Sequence, residues 1–314
     1  MKKRYLLAGA GGLAGAALTA KLLSRPHDVE WEKHAHELHH AERSRFAEVE
    51  GVRLHYQEAG QEDAPPIVLI HGFTASTLVW SEVLLPMAER GFRVVAMDLA
   101  GFGFSAKPAR AEYTIDWQSR LVLGLMDSLG IESATLVGNS YGGAIAATCA
   151  LDSPERVRKL VLVGAVSNDN VKKRLLLRLG RSPVLGDLIS PLLLDLRWLV
   201  RRRMLRNRIS LKEISEQKFE THHRHLRTSS TQRAALSMLR RWRAERIKRD
   251  AHLIRQPTLL IWGEQDAEIP LEDGKLLHRE IPDARLIIFR NCGHLPQEEY
   301  PQEFVDLVTD FSRS

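Results

Sequence analysis

A serine hydroxyl is a poor nucleophile at neutral pH unless a base takes its proton and a carboxylate orients that base. This chain carries all three groups at widely separated points. Gly138-Asn139-Ser140-Tyr141-Gly142-Gly143 sets Ser140 between glycines. A turn sharp enough to hold that hydroxyl outward brings the side chains two residues to either side into collision, and glycine avoids this. A helix starting just after the serine turns amide N–H groups toward developing negative charge. Farther on, Trp262-Gly263-Glu264-Gln265-Asp266 offers two carboxylates, and Asn291-Cys292-Gly293-His294 offers an imidazole.

For these groups to meet, a scaffold must bring them together. The 314 residues are 44% hydrophobic and 27% charged, enough for a sizeable core, and the composition excludes collagen, low-complexity tails and disulfide mini-domains. Two cysteines, Cys149 and Cys292, allow at most one disulfide and are read as free thiols; they give no cysteine-rich metal site. From residue 46 onward, short apolar runs alternate with amphipathic stretches. Residues 46–49 and 53–57 read as half-buried strands turned at Glu50-Gly51. Continuous apolar runs at 67–70, 94–97, 135–137, 160–163, 259–262 and 286–289 read as strands buried on both faces, with helices at 80–90, 116–129, 141–153 and 301–311. About eight strands with crossover helices make an α/β fold, a doubly wound and mainly parallel sheet whose chemistry lies past the carboxyl ends of its strands. Ser140, Asp266 and His294 each follow such an end.

A glycine-flanked serine between a strand and a helix, then Asp266, then His294, resembles the α/β-hydrolase superfamily from about residue 46 to the C-terminus. The resemblance implies an eight-stranded α/β-hydrolase core, residues 45–166 and 256–314, with a helical cap after the sixth strand at 167–255. It also implies Ser140 as nucleophile, His294 as general base and acid, and Asp266, ahead of its neighbour Glu264, as the orienting carboxylate. In the family the turn after the strand at 67–70, here His71-Gly72-Phe73, donates an oxyanion-hole amide, so Phe73 and Tyr141 N–H form the expected pair. His71 is expected to brace that turn. Asp98-Leu99-Ala100-Gly101-Phe102-Gly103-Phe104-Ser105 is similar to the family's Asp-x-x-Gly-x-Gly-x-Ser loop, with Asp98 structural. No metal or organic cofactor is required. Epoxide hydrolases and haloalkane dehalogenases of this superfamily use an aspartate nucleophile, so Ser140 excludes those activities.

The first 45 residues lie outside the resemblance. Lys2, Lys3 and Arg4 precede an uncharged Ala-, Gly- and Leu-rich stretch from residue 5 to 20; Lys21 can snorkel, which extends the stretch to residue 23. This reads as an N-terminal membrane anchor, or else a cleaved signal peptide, with the remainder exported to the periplasm or the extracellular space. Residues 24–44 read as a solvated polar linker, in which His36 and His40, one helical turn apart, could seat a metal. The net charge of +6 is unevenly spread: residues 167–255 hold 23 Lys and Arg against 8 Asp and Glu, so the rest of the chain is net acidic. The arginine clusters at 201–208 and 240–249 point to contact with a membrane surface. Nucleic acid is not expected, since no docking motif or interleaved aromatics accompany the charge. His222, His223 and His225 are expected at the surface.

The expected reaction is hydrolysis of a small-molecule carboxylic ester, hydrophobic or lipid-like, through an acyl-enzyme on Ser140; anchor and hydrolase together resemble the membrane-anchored monoacylglycerol lipases. The alternative is C–C bond hydrolysis, because the elbow is similar to that of the meta-cleavage-product hydrolases. Two departures oppose it: Phe73-Thr74-Ala75-Ser76 replaces their Gly- and Pro-rich turn, and Leu295 stands where they carry Trp. A non-catalytic ligand-binding protein of the same fold is the remaining reading.

Overall fold

Two antiparallel strands, β1 (Ser44–Val49) and β2 (Val52–Ala59), open the sheet through a turn at Glu50 and Gly51, whose φ angles of 50° and 74° are both left-handed. β3 (Pro66–Ile70), β4 (Arg93–Met97), β5 (Ala134–Asn139), β6 (Val157–Val163), β7 (Thr258–Gly263) and β8 (Ala284–Phe289) complete it. The strand order is β1-β2-β4-β3-β5-β6-β7-β8; β2 meets β4 antiparallel, and every later pairing is parallel. This computed structural model describes residues 25–169, 175–211 and 213–314. The apolar stretch at 5–23 lies outside them, and among the described residues no helix is long and apolar enough to cross a membrane.

Side-chain alternation divides the core. Val68, Ile70, Val95, Met97, Leu136 and Leu160 face α2 (Ile115–Ser128) and α3 (Tyr141–Asp152), whereas Ile67, Leu69, Val94, Val137, Val161 and Leu259 face α1 (Leu84–Glu89) and α10 (Pro301–Arg313). Each such side chain, fully buried, stabilises the fold by about 1.5–3 kcal/mol. α3 is buried from Tyr141 to Ala150, and its Gly and Ala residues let it lie close to the sheet. The helix expected from residue 80 begins only at Leu84. Pro86 lacks the N–H that would bond back to residue 82, and residues 77–80 form a separate 3₁₀ turn capped by the Ser76 side chain.

β3 neighbours both β4 and β5, so the chain leaves it toward opposite sides, and a crevice opens at its carboxyl end. Between β6 and β7 the chain is helical: α4 (Leu175–Arg181), α5 (Pro183–Asp195), α6 (Arg197–Arg206), α7 (Glu216–Leu226), α8 (Ser229–Arg241) and α9 (Glu245–Asp250). Ser182, Ser215 and Thr228 cap α5, α7 and α8 with side-chain oxygens.

Residues 25–43 are not a solvated linker. Val29 and Leu38 are buried, and Trp31 stands edge-on to Phe46 and Phe104 at 5.4 and 5.0 Å. The segment is strapped to the cap as well: Ser229 and Ser230 N–H donate to Pro26 and His27 carbonyls, and Arg224 Nε donates to Glu37 at 3.0 Å. Asp28 pairs with the buried Lys107 at 2.8 Å. The segment is not one helix either. His40 is left-handed (φ 59°) and its Nε2 meets Ser81 O, so His36 and His40 do not share a helical face. Trp31→Ala should cost about 1–3 kcal/mol, less than a full core deletion because the ring is half-buried. Thermal denaturation should show a Tm lower by several degrees; an unchanged Tm would mean that the strap is not docked in solution.

Candidate active site

Strand β5 ends at Asn139, and Ser140 turns the chain into α3 with φ 56° and ψ −117°, a strained conformation for a non-glycine residue. The turn is tight enough that a Cβ on Gly142 would lie 2.2 Å from Ile70 O, and one on Gly72 would lie 2.9 Å from Ser140 Cβ. The ends of β3 and β5 therefore touch directly at the serine. Ser140 N–H donates to Val163 O, and Val166 N–H donates to Ser140 O, both at 2.9 Å, so the end of β6 holds the serine from the other side. Ser140 itself stays partly accessible.

His294 Nδ1 and Asp266 Oδ2 are 2.7 Å apart. A carboxylate only accepts, so Nδ1 carries the proton and the neutral ring keeps its lone pair on Nε2. The other oxygen of Asp266 accepts from Glu268 and Ile269 N–H at 2.7 and 2.9 Å, which fixes the carboxylate. Glu264 has no such place in the pair; its N–H instead continues the bonding toward Phe289 O. Asn139 Nδ2 donates to both Val163 O (3.1 Å) and His294 O (3.3 Å), tying the serine strand to the histidine loop. Burial disfavours charge on the His294 ring, but the Asp266 carboxylate outweighs it and the pKa is raised.

The Phe73 and Tyr141 N–H groups find no acceptor within the protein among the described residues. His71 braces its turn: Leu99 N–H donates to Nε2 at 2.9 Å, so the proton sits on Nδ1 and is donated to Gly72 O. Burial pushes the pKa of His71 down and keeps this ring neutral, against the pull of Asp98. Asp98 accepts from His55 Nδ1, Thr77 N–H and Phe104 N–H at 2.7, 2.7 and 2.9 Å. Burial alone would raise its pKa, but His55 and these donors hold it well below the usual carboxylate range. Among the described residues no group of three or more His, Cys, Asp or Glu side chains is placed to hold a metal ion.

Several features here carry no short-range sequence signal. Gly164, at φ +49°, is so close to the pair that a Cβ would lie 3.0 Å from Asp266 Oδ2 and 3.1 Å from His294 Nδ1. The cap is clamped to the histidine loop: Asn207 O accepts from His294 N–H at 2.9 Å, and Arg208 makes a buried two-pronged pair with Glu298 at 2.6 and 3.0 Å. Glu299 accepts from Gly293 N–H (2.7 Å) and from Ser210 N–H and Oγ (2.7 and 2.9 Å), joining loop to cap. Burial would raise the pKa of Glu298, but Arg208 and Lys218 lower it. Contrary to expectation, His223 and His225 are buried, His223 stacked on Phe219 and His225 edge-on to Phe104 at 4.7 Å. The pKa of His225 falls to about 3, chiefly through burial. Phe73, Tyr141 and Trp242 pack together beside the serine, with Trp242 4.7 Å from Tyr141 and 5.7 Å from Phe73.

A family model described as the alpha/beta hydrolase fold matches residues 65–301. The chain belongs to that family and is a serine hydrolase of it. It is 34% identical to a 2-hydroxy-6-oxo-6-phenylhexa-2,4-dienoate hydrolase of Comamonas testosteroni, over 83% of this chain and 91% of that protein. A solved meta-cleavage product hydrolase from Pseudomonas fluorescens superposes with TM-score 0.72 at 26% identity, covering 86% of this chain and 97% of that one. A bacterial membrane phospholipase A superposes with TM-score 0.74 at 26% identity, covering 99% of both chains.

Two tests follow from this geometry. Gly164→Ala should push the Asp266–His294 pair apart, since neither neighbour is a flexible chain end. kcat should fall at least about tenfold and the downfield His294 Nδ1–H resonance should be lost, while circular dichroism stays native. An intact resonance and rate would show that the pair has room to spare. The raised His294 pKa places the acid limb of kcat/KM above the ordinary value of about 6.5, and Asp266→Asn should move that limb down while cutting kcat sharply. The folded chain also holds this proton more tightly than the unfolded one. That contribution to stability is full below about pH 6.5 and is lost as pH rises through the folded-state pKa.

Proposed function

We propose that Ser140 attacks the carbonyl carbon of a small-molecule substrate while His294 takes its proton and Asp266 stabilises the imidazolium. The Phe73 and Tyr141 amides receive the oxyanion. Collapse of the tetrahedral adduct expels the leaving group, which takes the proton from His294, and leaves an acyl group on Ser140. Water, deprotonated by the now neutral His294, releases the acid by the same route. The observation that carries this reading is the oriented Asp266–His294 hydrogen bond beside the elbow serine.

Two leaving groups suit this machinery. Carbon–carbon cleavage is the one the curated relatives favour, through the 34% identity to a dienoate hydrolase. It requires a substrate whose leaving carbon is conjugated, so that the expelled electron pair is delocalised before protonation. Ester cleavage asks less, since His294 need only protonate an alkoxide. It is favoured by Thr74-Ala75-Ser76 after Phe73, by Leu295 after His294, and by the likeness to a membrane phospholipase A along 99% of the chain. That likeness also supports membrane attachment through residues 5–23 with the catalytic domain exported, which protease protection in intact cells would test.

The deciding experiment offers the full chain a 2-hydroxy-6-oxo-dienoate, followed by loss of its ultraviolet chromophore, beside a p-nitrophenyl ester chain-length series. The faster class by kcat/KM identifies the bond. Ser140→Ala should lose at least about three orders of magnitude on that substrate, together with fluorophosphonate labelling. Turnover that persists in the variant would overturn the mechanism.

A further inference from the structure

The arginines of the cap are not equivalent. Arg197, Arg201, Arg208, Arg224, Arg227 and Arg246 are each paired with carboxylates of the chain. On α6, Val200 and Met204 point inward and are buried against Ile214 and Phe219. Trp198, two residues before Val200, and Arg202, two residues from both Val200 and Met204, are one helical turn apart and lie on the opposite face. Trp198 is 62% exposed, the most exposed large hydrophobic side chain among the described residues, and the exposed Arg202 makes no ion pair there. Ile209, 37% exposed, follows shortly after.

The helix α6 is separated by one helix from the strap through which the N-terminal segment joins the globule. Arg25 bonds Gln232 of α8, and Pro26 and His27 bond the start of that helix. α7 stands between the strap and α6: its Glu216 pairs with Arg197 and Arg201, while its Thr221 and Arg224 bond Glu37. A helix is about 10 Å across, so α6 lies about two helix widths from the strap.

We infer that the outward face of α6, with Trp198 and Arg202 at its centre, docks on an anionic lipid surface. A tryptophan ring with a guanidinium beside it suits the headgroup layer, where the ring leaves water and the cation meets phosphate. The inference rests on the reading that residues 5–23 hold the chain at a membrane.

The test uses the full chain in vesicles containing bromine-labelled phosphatidylcholine, with and without phosphatidylglycerol. Of the six tryptophans, Trp80, Trp117, Trp242 and Trp262 are buried and Trp31 is half-buried, so bromolipid quenching reports chiefly on Trp198. Quenching should be strong with phosphatidylglycerol, weaker without it or in high salt, and at least halved in Trp198→Phe. Arg202→Glu should lower it while soluble-substrate turnover stays unchanged. Co-flotation with vesicles but equal quenching in wild type and Trp198→Phe overturns the docking face and leaves the anchor standing. Failure to co-float removes the anchor and this inference with it.

Discussion

The site depends on one steric constraint: three strand ends converge so closely that the backbone of β6 must pass between the serine turn and the acid–base pair. Val163 O takes hydrogen bonds from the Ser140 backbone and the Asn139 side chain, and one residue on, a methyl group at Gly164 would press on Asp266 and His294 at 3.0 and 3.1 Å. Parallel strands make this possible. Their ends leave the sheet in the same direction, so the short turns after β3, β5, β7 and β8 gather beside the first residues that follow β6.

Around that convergence, buried carboxylates serve as fixed points. Asp98 gathers His55 and two backbone amides, which sets the loop that in turn fixes the proton position on His71. Glu298 and Glu299 hold the cap edge to the loop carrying His294. A buried charge missing its partner costs several kcal/mol, so each carboxylate resists rearrangement of everything bonded to it. The edge of the cap that carries Asn207 and Ser210 therefore moves with the histidine or not at all.

Much of this was legible locally. Strands 67–70, 94–97 and 259–262 are continuous apolar runs, as a sheet buried on both faces requires, and the elbow glycines announce their turn. What was not legible depends on contacts between distant residues. Gly164 ends an unremarkable strand, and nothing near it in sequence names Asp266. Residues 25–43 hide three apolar anchors, Val29, Trp31 and Leu38, among histidines and charges, so composition suggested a linker while the hydrophobic contacts decided otherwise. His225, expected at the surface with His222 and His223, faces Phe104 across the cap boundary, a contact 121 residues away in sequence that no local pattern announces. The basic surplus of the cap was visible, but which arginines are neutralised follows only from where Glu37, Asp152, Glu298 and their like arrive.

The strap also has a consequence for the order of events during synthesis. His27 bonds Ser230, which is 203 residues later in the chain. At about 5–20 residues per second, that partner is made roughly 10–40 s after the strap itself. During that interval Val29, Trp31 and Leu38 have Phe46, Leu78 and Phe104 of the core to rest on, but the strap lacks its hydrogen-bond partners in the cap. Closure of the strap onto the cap is thus a late step of high contact order, taken only after residues 229 and 230 have been made. A chain whose first segment is delivered elsewhere has this interval in which to do so, before the strap closes over the finished cap.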